Sequence, residues 1–117
     1  MSQVTLYHNS RCSKSRQTLA LLEEQGHSVA VVEYLKTVPT REELQQIIAK
    51  LGIQPRDLLR NKEEEYQQAG LNDASLSDDQ IINAMVAYPK LIERPIAIYG
   101  DKARIGRPPE QVLELFK

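Results

Sequence analysis

Val4-Thr5-Leu6-Tyr7-His8-Asn9-Ser10-Arg11-Cys12-Ser13-Lys14-Ser15-Arg16 changes character at its middle. Val4 to Tyr7 is built of β-branched, aromatic and aliphatic residues and predicts a short strand. His8-Asn9-Ser10-Arg11 is polar and predicts a loop. From Ser13 to about Gln25 the residues suit a helix, with Leu19, Ala20 and Leu22 available for burial. Gly26 stands where a helix C-cap is expected. Val29 to Tyr34 is Val-rich and predicts a second strand. The chain thus opens β-loop-α-β, a parallel pair with a right-handed crossover. Cys12 falls where the first strand turns into the first helix.

Working outward, Thr40 and Glu43 have capping-box spacing. Leu44, Ile47, Ile48 and Leu51 follow at helical intervals, and Gly52 ends the run. Pro55 opens a short segment holding Leu58 and Leu59, and Leu58-Leu59-Arg60-Asn61-Lys62 reads as an amphipathic turn. Ser77 and Gln80 repeat the capping-box spacing before Ile81, Ile82, Met85 and Val86, and Pro89 stops that helix. Pro95 to Tyr99 predicts a third strand, Gly100-Asp101 a turn, and Lys102 to Ile105 a fourth strand in a hairpin with the third. Pro108-Pro109 sets up a last helix with Val112, Leu113 and Phe116 on its apolar side. The order is β-α-β, a helical insertion at about 40–88, then β-β-α. This predicts an α/β fold with a mixed sheet of the thioredoxin/glutaredoxin type, one domain over residues 1–117.

A chain of 117 residues has room for one core. Fifteen basic residues against 16 acidic give a net charge of -1, which supplies no global field for nucleic acid or an anionic membrane. Any anion site must be a local cluster of arginines or lysines. No apolar run approaches the roughly 20 residues that span a bilayer. The start, Met1 to Tyr7, is too short and polar for a signal peptide and reads as the opening strand. The expectation is a cytoplasmic protein that binds neither membrane nor nucleic acid. His27, after Gly26, is expected to be exposed and without a role. Glu63-Glu64-Glu65 reads as a solvated helix face, and nothing has metal-ligand spacing.

Cys12 is the only cysteine, so no internal disulfide is possible. A free cysteine often packs as a small hydrophobe; the surroundings of Cys12 argue for a reactive one. A thiolate at a helix start meets unpaired N–H groups and the positive end of the macrodipole. Arg11, Lys14, Arg16 and His8 are basic neighbours within four residues, and Ser13 and Ser15 can donate hydrogen bonds to the sulfur or a bound oxyanion. Cys12-Ser13-Lys14-Ser15 is C-x-x-S rather than C-x-x-C. With no second cysteine to resolve a mixed disulfide, electrons must come from an external thiol, for which glutathione is the natural small donor.

His8-Asn9-Ser10-Arg11-Cys12-Ser13-Lys14-Ser15-Arg16 resembles the N-x-x-C-x-x-S-R opening of the glutaredoxin-coupled arsenate reductase family. Leu58-Leu59-Arg60, Glu93-Arg94-Pro95 and Ile105-Gly106-Arg107-Pro108-Pro109 extend the resemblance over essentially the whole chain. It is closest to a short branch without the C-terminal extension of the best-studied members. The resemblance implies an oxidoreductase of thioredoxin fold that reduces arsenate to arsenite. It makes Cys12 the nucleophile and Arg60, Arg94 and Arg107 the oxyanion-binding residues. His8 and Ser15 would support the thiolate, and Pro95 would be the cis-proline of the fold. The implied enzyme has no bound cofactor and no metal, takes glutathione as co-substrate and glutaredoxin as partner, and works as a monomer. Ser13-Lys14 stand where well-studied members have Gly-Thr.

Three other readings fit the same residues. A glutathione-dependent thiol transferase or monothiol glutaredoxin would use Cys12 and turn the arginines to glutathione carboxylates. A regulator of this fold that binds RNA polymerase would need no turnover, although the dithiol switch of such regulators is absent here. A dimer could hold an iron–sulfur cluster through Cys12 and glutathione.

Overall fold

The first strand, β1 (Gln3–His8), buries Val4 and Leu6 completely and carries Tyr7 and His8 into the interior at its end. It leads into helix α1 (Ser13–Glu24) and back through β2 (Ser28–Glu33), which pairs parallel to β1 from Gln3↔Ser28 to His8↔Glu33. Late in the chain β3 (Ile96–Tyr99) pairs antiparallel with β1, and β4 (Lys102–Ile105) with β3. The sheet order is β2-β1-β3-β4, a mixed sheet of thioredoxin-like topology. The computed structural model describes residues 3–60 and 63–116. Met1 and Ser2 of the opening-strand reading, Asn61 and Lys62 of the turn reading, and Lys117 lie outside the described residues.

The chain divides into two compact units, Met1–Thr37 with Arg94–Lys117, and Val38–Glu93. The second is wider at both ends than the insertion at about 40–88 read from the sequence.

In the sheet-bearing unit the core is Val4, Leu6, Leu22, Ala97, Val112 and Leu115. The closing segment, Pro109–Phe116, is a 3-10 helix. Its three-residue period aligns positions i and i+3, which puts Pro109, Val112 and Leu115 on the buried side. The sequence reading gave that face to Val112, Leu113 and Phe116 because it assumed a 3.6-residue period. Two further expectations are corrected. Ala20 is exposed on α1, whereas Ser15, Thr18 and Leu22 are buried. His27 is half-buried and stacks on Phe116 with ring centroids 3.8 Å apart.

The second unit contains α2 (Arg41–Leu51), α3 (Glu64–Gln68) and α4 (Asp78–Ala87), with 3-10 turns at Pro55–Leu58 and Pro89–Leu91. Both sequence-read capping boxes form, at Thr40/Glu43 and Ser77/Gln80. Gly52 closes α2 at φ 69°, a left-handed conformation that glycine adopts without steric cost. Leu44, Ile47, Ile81, Ile82, Met85, Leu58 and Leu91 are buried, and Arg41 ties α2 to α4 through Asp79 and Asn83. No helix among the described residues is long and apolar enough to cross a membrane.

Candidate active site

Cys12 is the N-cap of α1, with extended backbone at φ -93° and ψ 124°. Its sulfur makes no capping hydrogen bond of the kind a serine N-cap makes, but stands near the unpaired N–H groups of the first turn. The turn before it is fixed by local bonds. Cys12 N–H donates to the Asn9 carbonyl at 3.0 Å, and Arg11 N–H donates to Asn9 Oδ1 at 3.0 Å. The Arg16 guanidinium donates to the Ser10 carbonyl at 2.8 Å.

The thiol is half-buried. Burial pushes its pKa up. The Ser15 N–H, the Arg94 charge, the Lys14 N–H and the Arg107 charge, in that order, more than offset this, and the thiol titrates below its ordinary value. Arg107 Nη2 lies 3.6 Å from the sulfur, and its Nε donates to the Arg94 carbonyl at 2.8 Å. One guanidinium therefore links the nucleophile to the backbone at the start of β3.

Ser15 is fully buried. Its hydroxyl accepts the Asn9 N–H at 3.0 Å and shares a 2.7 Å hydrogen bond with His8 Nδ1. Burial, and after it the Arg16 charge, hold the His8 pKa below its ordinary value against the opposing pull of Glu33. His8, a basic neighbour of Cys12 in the sequence, is held toward its neutral form by burial. The structure offers His8 another way to support the thiolate. It anchors Ser15, whose N–H is the foremost group lowering the Cys12 pKa.

The Arg94–Pro95 bond is cis, as the family resemblance implies for Pro95. The Arg107–Pro108 bond is also cis, which the sequence reading did not anticipate. Gly106 was missed as well. A Cβ there would come within 2.5 Å of Thr18 Oγ1 and 2.9 Å of Pro95 Cγ. Its N–H donates to the Pro95 carbonyl at 2.9 Å. This glycine lets the loop carrying Arg107 lie against α1 and the cis-proline. Its position directly before Arg107-Pro108 was the only signal available in the sequence.

Cys12, His8, Ser15, Arg94, Pro95 and Arg107 thus share one unit. Arg60 belongs to the helical unit, where its guanidinium pairs with Glu63 at 2.8 Å. Among the described residues no cluster of His, Cys, Asp and Glu could hold a metal ion.

A thioredoxin-like sheet with one activated cysteine at the start of its first helix, and guanidiniums drawn to it, defines a monothiol member of the thioredoxin-like class. The model of the ArsC family matches residues 7–115. The chain is 53% identical over 114 residues to the uncharacterized protein YfgD of Escherichia coli K12, covering 97% of this chain and 96% of that one. It is 49% identical to the arsenate reductase of Haemophilus influenzae, covering 97% and 98%. The solved arsenate reductase from Vibrio cholerae aligns with a TM-score of 0.95 at 52% identity, covering 97% of this chain and 98% of that one. The chain belongs to the ArsC family.

Proposed function

We propose that the chain reduces arsenate to arsenite through the Cys12 thiolate, with glutathione and glutaredoxin as electron donors. The observation that carries this reading is the Arg107 guanidinium 3.6 Å from a sulfur whose pKa is already depressed. Arsenate near neutral pH carries between one and two negative charges on several oxygens. Arginine answers such an anion with a planar fork of donors and a permanent charge. Arg94 and Arg107 receive it beside the nucleophile, and Arg60 is the third arginine of the set. The names of the relatives support arsenate as the substrate.

The thiolate attacks As(V), and one arsenate oxygen leaves as water. Glutathione displaces a second oxygen, also as water, so that arsenic bridges Cys12 and glutathione. The glutaredoxin thiol then attacks the glutathione sulfur. The As–S bond to glutathione breaks with its electron pair left on arsenic, and a glutaredoxin–glutathione disulfide forms. Water releases arsenite from Cys12 and returns the thiol. Arsenic gains two electrons and two thiols become one disulfide, so the balance closes without a resident cofactor or metal. The protein's own contribution is thiolate activation and oxyanion stabilisation. The reading places the enzyme in the cytoplasm as a monomer.

The test is arsenate-dependent NADPH consumption with glutathione, glutathione reductase and glutaredoxin. Cys12→Ser should abolish turnover. Arg94→Ala should lower kcat/KM by about a hundredfold, as for loss of an oxyanion donor. Undiminished turnover in the serine variant overturns the reading.

A further inference from the structure

Beside the nucleophile loop opens a cavity of about 360 Å³ that the chemistry above does not use. Its size lies within the range of small-molecule sites. Asn9, Ser10 and Arg11 form one wall; Glu33, Leu35 and Lys36, at and beyond the end of β2, form the other. Glu33 is held in place. Lys36 Nζ lies 3.3 Å from its carboxylate, and the Ser10 hydroxyl also bonds to it.

The charges lining the cavity have mixed sign, two cations (Arg11 and Lys36) and one carboxylate (Glu33). A carboxylate repels a simple oxyanion, so the cavity is ill suited to arsenate. A ligand bearing an ammonium and a carboxylate on one carbon meets each charge with its opposite. Arg11 offers a carboxylate two parallel donors, Glu33 accepts from an ammonium, and Leu35 presents apolar surface to methylenes. Arg11 directly precedes Cys12, and consecutive Cα atoms are about 3.8 Å apart. An extended tripeptide spans about 10 Å, so a ligand with its head beside Arg11 has the reach to bring a thiol to Cys12.

We propose that this cavity binds the zwitterionic amino-acid head of the thiol co-substrate, its carboxylate on Arg11 and Lys36 and its ammonium on Glu33. The assignment rests on the thiol-dependent reading of Cys12 given above. Glutathione carries such a head at its γ-glutamyl end, with its thiol on the next residue.

S-methylglutathione, whose thiol is capped, tests the site without turnover. Titrated into the 15N-labelled full chain, it should shift the amides of residues 9–11 and 33–36 saturably. Glu33→Gln and Arg11→Ala should each raise its Kd by about fivefold, as for loss of one exposed charge pair. The N-acetylated ligand, lacking the ammonium, should lose a similar factor on the unaltered protein, a result that does not depend on any variant folding. Shifts confined to other amides, or equal affinity for the acetylated ligand, overturn the site. The two readings fail separately. Arsenate turnover without these shifts removes the site and leaves the reductase; these shifts without arsenate turnover do the reverse.

Discussion

Gly106→Ala probes the packing that positions Arg107. The new methyl would sit 2.5 Å from Thr18 Oγ1, 2.9 Å from Pro95 Cγ and 3.1 Å from Thr18 Cγ2. Thr18 is fully buried, and its hydroxyl donates to the Lys14 carbonyl at 2.8 Å, so it cannot swing away without losing that bond. Pro95 is a ring on a buried residue and has no rotamer to give. Overpacking of this kind costs about 1–3 kcal/mol. At this chain length each kcal/mol moves Tm by about 4 °C, so the variant should melt about 4–12 °C lower. Circular dichroism melts measure this directly. Thr18→Ala deletes both threonine atoms in the clash. The double variant should therefore recover part of the loss, with a coupling of about 1 kcal/mol in a double-mutant cycle. Because Arg107 follows the strained residue, alkylation of Cys12 by iodoacetamide should also slow at neutral pH. A Gly106→Ala protein melting within about 1 °C of the parent would refute the contact, and purely additive losses would refute the assignment of Thr18 as the obstacle.

Three further outcomes follow from the same geometry. The pH profile of Cys12 alkylation should have its midpoint below that of an ordinary thiol, and Arg107→Ala should move it upward because a positive neighbour is lost; an unmoved midpoint would count against that contact. Stability should respond to the same group. Between the depressed folded pKa and the ordinary thiol value the unfolded chain binds the proton and the folded one does not. Stability relative to Cys12→Ser should therefore rise with pH across that window and be lost as pH falls through the folded pKa, as read by urea unfolding. Ser15→Ala should cost about 1–3 kcal/mol, since the buried His8 Nδ1 and the Asn9 N–H lose their shared partner; unchanged urea midpoints would show that water replaces the hydroxyl.

What the sequence made legible was local. The two capping boxes, the left-handed Gly52 and the hairpin around Gly100-Asp101 depend on residues close to one another in the chain, and each forms as read. The start of α1 at Ser13 belongs with them. The misreadings involve partners far away in sequence. His27 meets Phe116 across the unit. The closing helix takes a three-residue period that buries Pro109, Val112 and Leu115. The Gly106 requirement arises from Thr18 and Pro95, which no spacing near Gly106 reveals. The burial that lowers the His8 pKa is set by the whole sheet and leaves no mark in the residues beside it. For the arginines the sequence supplied identity through motif resemblance; Arg94 and Arg107 lie in the unit of Cys12, and Arg60 pairs with Glu63 in the helical unit.

The same division between local and distant contributions bears on how the site can work. The foremost group lowering the Cys12 pKa is the Ser15 N–H, ahead of Arg94, and the Lys14 N–H comes ahead of Arg107. Those N–H groups belong to the backbone of the first turn of α1, whose place beside the sulfur does not depend on an anion. The Arg107 guanidinium is exposed, carried on a long stem and anchored by its Nε to the Arg94 carbonyl. Pivoting about that anchor would carry its Nη groups from the sulfur to an incoming oxyanion. The thiolate would lose one charge partner at that moment but keep its backbone donors, so the nucleophile gains reactivity while remaining ionised. Were the guanidiniums the sulfur's main support, binding the oxyanion would favour reprotonation of the thiol. The helix N-terminus removes that conflict, which gives a physical reason for placing this cysteine at an N-cap with arginines arriving from the far end of the chain.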